Sequence, residues 1–337
     1  MVSMKDIALK CGVSVATVSK ALNGYSDIGD ETRSQIKQAA AELGYFPNSA
    51  ARALKTNRTY NIGVLFVDEA RSGLTHEYFA SVLDNFKVNV EKRGYDVTFI
   101  NHHIGTRAMS YYEHCRYRGV DGVVIACVNF DEPEVVELIN SDIPVVTIDH
   151  IFNNRTAIIS DNIAGMRDLV TYIHSMGHRK IAYIHGADSS VTRDRVTSFY
   201  RTMEELQIEI PESYVQEGIY HDTESAASRT RELLALKSRP TCIIYPDDFA
   251  CIGGINEIKE QGLHIPDDIS VVGYDGLHFT QVLEPKLTTL KQDTYLLGKE
   301  AADHLISLIE RPKTTLITRA VVKGKLLSGN SVSRLSH

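Results

Sequence analysis

Several acidic or amide side chains stand just past apolar runs of strand length. Asp68 follows IGVLFV, Asn129 follows GVVIAC, Asp149 follows PVVTI, Asp247 and Asp248 follow TCIIY, and Asp275 closes ISVVGYD. Open parallel sheets bind ligands beyond the carboxyl ends of their strands. Carboxylates converging there suit a polyhydroxyl ligand, because each accepts hydrogen bonds from neighbouring hydroxyls. Arg195, early in the segment after KIAYIHG, can donate to the same ligand and offset the negative charge. The competing use of such acids is helix capping, and Asp248 is read as a cap. Tyr78, Phe79, Tyr220 and Phe249 offer stacking faces in a chain without Trp.

Other pairs do not add up to catalysis. Asp247 and Asp248 are adjacent, so their side chains point in different directions. His174 and His178 are spaced for one face of an expected helix, but two histidines without a third ligand do not make a metal site. His102 and His103 read as a solvated strand end. No nucleophile with a base and an orienting group is legible, and no GxxxxGK[ST] phosphate loop occurs. No catalytic residue, metal or cofactor is therefore expected.

The other chemistry lies at the N-terminus, in SMKDIALKCGVSVATVSKALN. Ser3 and Asp6 have the spacing of a capping box. Ile7, Ala8 and Val13 are apolar contacts, Gly12 breaks the helix, and Ser14 caps a second one. That second helix buries Val18, Ala21 and Leu22 and turns Val15, Ala16, Ser19 and Lys20 outward. Two short helices with a small, cationic exposed face suit insertion into a DNA major groove. A plain helical hairpin is the alternative.

The elements that hold these groups can be read from periodicity. A third helix has Asp30 as its expected cap, apolar contacts at Ile36, Ala39, Ala40 and Leu43, and Gly44 at its end. Pro47 and Asn48 then break the chain. SAARAL spans barely two turns and is marginal alone in water, so it reads as a hinge that orders only when held. From Tyr60 onward apolar strands alternate with amphipathic helices, such as the one carrying Phe79, Val82, Leu83, Phe86 and Val90. Another carries Leu233 and Leu234, and a third Leu297, Ala301, Leu305 and Leu308. This pattern means α/β architecture, with parallel sheets covered on both faces. About 270 residues exceed what one such sheet needs, so two doubly wound lobes flanking a cleft are expected.

Composition fits this division. The 337 residues are 43% hydrophobic, enough for full cores. Net charge is −7, yet residues 1–58 hold eight cations against five anions, leaving +3 on the head and −10 on the rest. A basic end beside an acidic body suits a protein that presents one end to phosphate. No run of about 18 apolar residues marks a membrane span, and the charged N-terminus does not read as a secretory signal. Five scattered cysteines without a CxxC pair point to a reducing cytoplasm.

MKDIALKCGVSVATVSKALN, ETRSQIKQAAAELGYFPNSAARAL, GHRKIAYI at Gly177, VVGYD at Val271 and KLTTLKQD at Lys286 together carry a resemblance that covers nearly the whole chain. It resembles the lactose-repressor/galactose-repressor family of bacterial transcription regulators. The resemblance implies a homodimer on a pseudo-palindromic operator. Its DNA-binding set would be Val15, Ala16 and Lys20 on bases, Thr17 and Ser19 on phosphate, and Asn23. Ala53, Leu54 and Lys55 would complete it from the hinge, with Leu54 as the minor-groove wedge. It also implies that the body resembles periplasmic sugar-binding proteins, with Tyr78, Phe79, Asp149, Arg195, Tyr220, Asp247 and Asp275 around the effector. The implied limits are 1–46 for the head, 47–59 for the hinge and 60–330 for the body. Within the body, one lobe would take about 60–160 and 292–320, the other about 161–291 and 321–330. Lys20 stands where many members carry Arg, Ser198 where a glycine is usual, and Thr294 where some have an aromatic; the segment around His76 lacks the usual proline. The tail after Leu327 has no leucine heptads, so no coiled tetramer tail is expected.

The function expected is a sequence-specific repressor of sugar-utilisation genes, gated by a sugar in the interlobe cleft. The alternatives within the family are a phosphocarrier protein or a purine as corepressor. A sugar-binding transport protein is the alternative from another class, and the N-terminal head argues against it.

Overall fold

The computed structural model describes residues 2–46, 53, 56–67 and 73–335. They fall into two compact units, Met1–Thr59 and Tyr60–His337.

The head is built from α1 (Met4–Cys11), α2 (Val15–Leu22) and α3 (Asp30–Glu42). Asp6 Oδ2 accepts from both the backbone N and Oγ of Ser3, which fixes the start of α1. Gly12 ends that helix at φ 65°, a left-handed conformation open to glycine without strain. Ser14 Oγ then accepts from Thr17 N at 3.0 Å and starts α2. The cap of α3 is Gly29 rather than Asp30, which is its first helical residue. Its charge still favours the helix N-terminus there. Ile7, Ala8, Val18, Ala21, Ile36, Ala39 and Ala40 are buried together as the core. So small a core leaves little margin, and the caps and the Lys10–Glu42 ion pair (2.6 Å) between α1 and α3 matter correspondingly.

Among the described residues the body holds fourteen strands: β1 (Asn61–Phe66), β2 (Asp96–Phe99), β3 (His103–Ile104), β4 (Arg107–Ala108), β5 (Gly122–Ala126), β6 (Val145–Ile148), β7 (Thr156–Ser160), β8 (Ile181–His185), β9 (Val215–Glu217), β10 (Cys242–Ile244), β11 (Ser270–Asp275), β12 (Thr288–Lys291), β13 (Arg319–Val322) and β14 (Lys325–Leu327). One six-stranded sheet runs β2-β1-β5-β6-β7-β13 and the other β9-β8-β10-β11-β12-β14; β3 and β4 form a separate hairpin. All pairings in the two large sheets are parallel except β12 with β14.

Central strands are buried on both faces, as continuous apolar runs require. In β5, Val123 and Ile125 pack with Tyr111, Val135 and Leu138 on one side. Val124 and Ala126 pack with Phe86, Leu297 and Leu305 on the other. The second sheet is covered likewise by Met166, Leu169 and Phe199 on one face and Leu233, Cys251 and Ile258 on the other. Helices Glu77–Glu91 and Thr294–Glu310 approach closely at Gly298, where a Cβ would lie 2.5 Å from Val82 O. The chain passes from the first sheet to the second after Ser160, returns after Lys291, and crosses again between Val322 and Lys325. Because β13 lies in the first sheet, residues 321 and 322 belong there rather than with the second. Among the described residues no helix is long and apolar enough to cross a membrane.

Candidate effector site and DNA-reading helix

The two sheets share one strand order, and in it β6 and β11 occupy equivalent places. Asp149 follows the first and Asp275 ends the second. Both have left-handed backbones, φ 58° and φ 110°. Such conformations cost a non-glycine residue energy and persist where the surroundings hold them, often at functional sites.

Each acid is held by its own lobe. Asp149 Oδ1 accepts from Ser160 N (2.9 Å) and Oδ2 from Tyr78 Oη (3.0 Å). Asp275 Oδ1 accepts from Gln292 Nε2 at 2.7 Å. Ser190 Oγ, at the start of helix Ser190–Glu205, donates to Asp149 O at 3.0 Å and joins the second lobe to the first.

Arg195, 4% exposed, lies among these acids. Its Nε donates to Asn162 Oδ1 (2.8 Å) and Nη1 to Pro246 O (3.0 Å). Its Cζ stands 3.5 Å from the Tyr274 ring centroid, a cation–π contact strengthened by exclusion of water. Burial pushes the Asp275 carboxyl up to about 8, partly offset by the Arg195 charge. Burial also raises Asp149 and Asp247, and in both cases hydrogen bonds and Arg195 pull the other way. One guanidinium thus couples electrostatically to three carboxyls and to Tyr220, and Tyr220 Oη meets Thr192 Oγ1 at 2.9 Å.

The adjacent acids exchange the roles read from sequence. Asp247, not Asp248, caps helix Asp248–Glu260, its Oδ1 accepting from Ala250 N at 2.7 Å. Its Oδ2 accepts from His221 N at 2.8 Å. Asp248 is the first helical residue and turns inward, to Leu277 N (2.8 Å) and Thr289 Oγ1 (2.7 Å). Asn129 is exposed and serves a local turn through Asp131 N, apart from the other acids. Asp68 lies outside the described residues. The helix expected across His174 and His178 ends at Ser175; His178 is buried against Thr241 Oγ1 (2.9 Å) and Ser333 O (3.0 Å).

Rings adjoin this candidate site in a way the sequence did not disclose. His221 stacks on Phe249 at 4.0 Å and 5°, and on His76 from the other lobe at 4.3 Å and 23°. His76 then meets Phe79 edge-on at 5.0 Å, and Phe79 meets Tyr78 at 4.8 Å. Asn162, Gln292, Ser190, Thr192, Tyr274 and both histidines were missed, since none forms a motif by itself. The left-handed Asp149 and Asp275 leave no mark in sequence either.

In the head, α2 buries Val18 and Ala21 and exposes Val15, Ala16 and Lys20, with Thr17 and Ser19 partly covered. Asn23 closes the helix, its Nδ2 donating to Ser19 O at 2.6 Å. Of the expected hinge contacts, Ala53 is helical, while Leu54 and Lys55 lie outside the described residues.

This combination of a capped helical pair and a two-sheet body can be matched to known proteins. Residues 3–48 match the model for bacterial regulatory proteins of the lacI family, and residues 170–332 that for a periplasmic binding protein-like domain. The HTH-type transcriptional repressor PurR of Haemophilus influenzae is 30% identical over 314 residues, 92% of this chain and 91% of the relative. The chain belongs to the lacI family. This lacI-family protein is a DNA-binding transcriptional repressor, in a family that is not enzymatic. The probable HTH-type transcriptional repressor ExuR of Bacillus subtilis is 31% identical over 93% of each chain. Among solved structures, the lac repressor dimer bound to operator and the anti-inducer ONPF is 26% identical, with TM-score 0.80, covering 98% of this lacI-family chain and 99% of that one. The regulator CelR in complex with cellobiose is 25% identical at TM-score 0.71, covering 98% and 100%.

Proposed function

We propose that this repressor binds a pseudo-palindromic operator as a homodimer and is gated by a small uncharged sugar held in its body. The reading rests most on Arg195, one buried cation coupled to Asp149, Asp247 and Asp275. Carboxyls and a guanidinium accept from and donate to vicinal hydroxyls, while the excess of acids disfavours an anion. Tyr78, Phe79 and Tyr220 border the same network. The solved cellobiose complex of CelR supports a sugar by similarity.

On the DNA side, Val15, Ala16 and Lys20 would meet base edges, and Thr17, Ser19 and Asn23 would hold the backbone. Ala53, Leu54 and Lys55 would act at the operator centre, with Leu54 opening a base step. The effector would act by binding two body conformations unequally.

A planar nitrogenous base is the second reading, favoured by the Phe249–His221–His76 stack. A thermal-shift panel separates the two: neutral mono- and disaccharides, uronates, sugar phosphates and nucleobases, at equal concentration. A hit at about 100-fold its Kd adds about 2.7 kcal/mol of stability. A neutral sugar is expected to raise Tm, and the gel-shift affinity for operator should change with the same compound. Stabilisation by nucleobases alone, or by anions alone, would overturn the sugar reading.

A further inference from the structure

Tyr183, in β8, is fully buried, and its Oη has no hydrogen-bond partner among the described residues. Other buried phenols are satisfied: Tyr245 Oη meets Thr230 Oγ1 at 2.8 Å, Tyr214 Oη donates to Ser238 O at 2.8 Å, and Tyr78 Oη donates to Asp149 Oδ2 at 3.0 Å. An unpaired buried hydroxyl forfeits its hydration without return, and native proteins keep few such groups.

The surroundings of this one give it a use. Alternation along β8 turns Ile181 and Tyr183 to the face that also packs Phe199, in helix Ser190–Glu205. Arg195 and Phe199 are four apart on that helix, hence on one side of it, and both are buried. The Tyr183 and Phe199 rings meet at 5.3 Å. Tyr274, whose ring carries the Arg195 guanidinium at 3.5 Å, belongs to the same apolar cluster. Burial pushes the Tyr183 phenol far up, and Tyr220, Arg195 and Tyr274 are the groups its charge would feel. It therefore keeps its proton and can both donate and accept.

We infer that the Tyr183 hydroxyl is a further effector contact, bonding directly or through one water to a hydroxyl of the molecule held by Arg195. The inference rests on the proposed sugar reading and deepens it, because a polyol hydroxyl also donates and accepts. Since no bond to the protein is lost, this group counts toward effector affinity rather than toward folding.

The test is Tyr183→Phe in the full-length chain, beside Tyr245→Phe and Arg195→Ala. Without added compound, Tyr183→Phe should hold Tm within about 1 °C of wild type or raise it, whereas Tyr245→Phe, which breaks a bond, should lower it by about 2 °C. The probes are D-glucose, D-galactose, cellobiose, D-galacturonate and adenine, and the one that raises wild-type Tm most is titrated by calorimetry. Tyr183→Phe should weaken its binding about threefold to tenfold and leave operator affinity in its absence unchanged. A lowered Tm without compound, or an unchanged Kd where Arg195→Ala abolishes binding, would overturn the inference; the hydroxyl would then serve the fold alone. Binding that survives Arg195→Ala, or that only adenine or D-galacturonate shows, would overturn the sugar reading first and this contact with it.

Discussion

The head and the body handle polar chemistry in opposite ways. The head displays Val15, Ala16 and Lys20 on an exposed face over a core of seven small or medium apolar residues. The body buries its groups: Arg195 is 4% exposed, Asp247 4% and Asp275 7%. Exposed cations keep their charge and meet a polyanion whose field reaches them through solvent. Buried acids and a buried guanidinium depend on one another for charge state, orientation and stability. The head is therefore a surface that can be altered residue by residue, whereas the body site responds as a unit.

The sharpest way to break this contrast is Arg195→Ala. Asn162, Pro246 and the three carboxyls would lose their shared partner, at a cost of about 3 kcal/mol or more. An effector held as proposed should then give no Tm shift, while effector-free operator binding persists. A retained shift would remove Arg195 from the site. Salt provides the next test. Operator affinity should fall a thousandfold or more between about 50 and 200 mM if about six phosphates are contacted. The affinity of an effector held as proposed, among buried groups, should barely move. Parallel salt dependence would erase the distinction.

Asp275 sharpens the same comparison through pH. Its folded carboxyl keeps a proton until about 8, whereas an unfolded one releases it near the ordinary carboxylate value. The folded state binds more protons in that window, so raising pH from about 4 to 8 should destabilise the body. Its share of the slope reaches at most about 1.4 kcal/mol per pH unit. Asp275→Asn should flatten that slope in urea melts at pH 5, 6, 7 and 8; an unchanged slope would place the titration elsewhere. The smallest effect expected is that of Ser14→Ala. Loss of the bond to Thr17 N should cost about 1 kcal/mol, read as faster hydrogen exchange confined to α1–α3 with no change in the body.

Much of this architecture was legible because it depends on local pattern. Each of the six apolar runs singled out, from IGVLFV to ISVVGYD, forms a strand, and the Gly12–Ser14 junction forms the turn between two helices. Strands less apolar or less isolated, such as β2 and β7, were passed over; β7 is a strand because it pairs with β6 and β13. Capping at single-residue precision was misread twice, at Gly29 and at Asp247. Neighbouring residues both able to cap are separated by tertiary bonds: Asp248 is drawn inward by Leu277 and Thr289.

The sequence by itself determined the three head helices and the most apolar strands, which residues α2 turns outward, and that acids gather at strand ends. Periodicity, capping chemistry and strand-end position are properties of short stretches, and short stretches carry them whole. Only the tertiary structure decided that Asp149 and Asp275 stand at equivalent ends of two like sheets, that His76 stacks on His221 between lobes, and that Lys20 faces Asp27. Those relations join residues from seven to more than a hundred positions apart. Their energies come from contact and burial, which exist only once the chain has closed on itself.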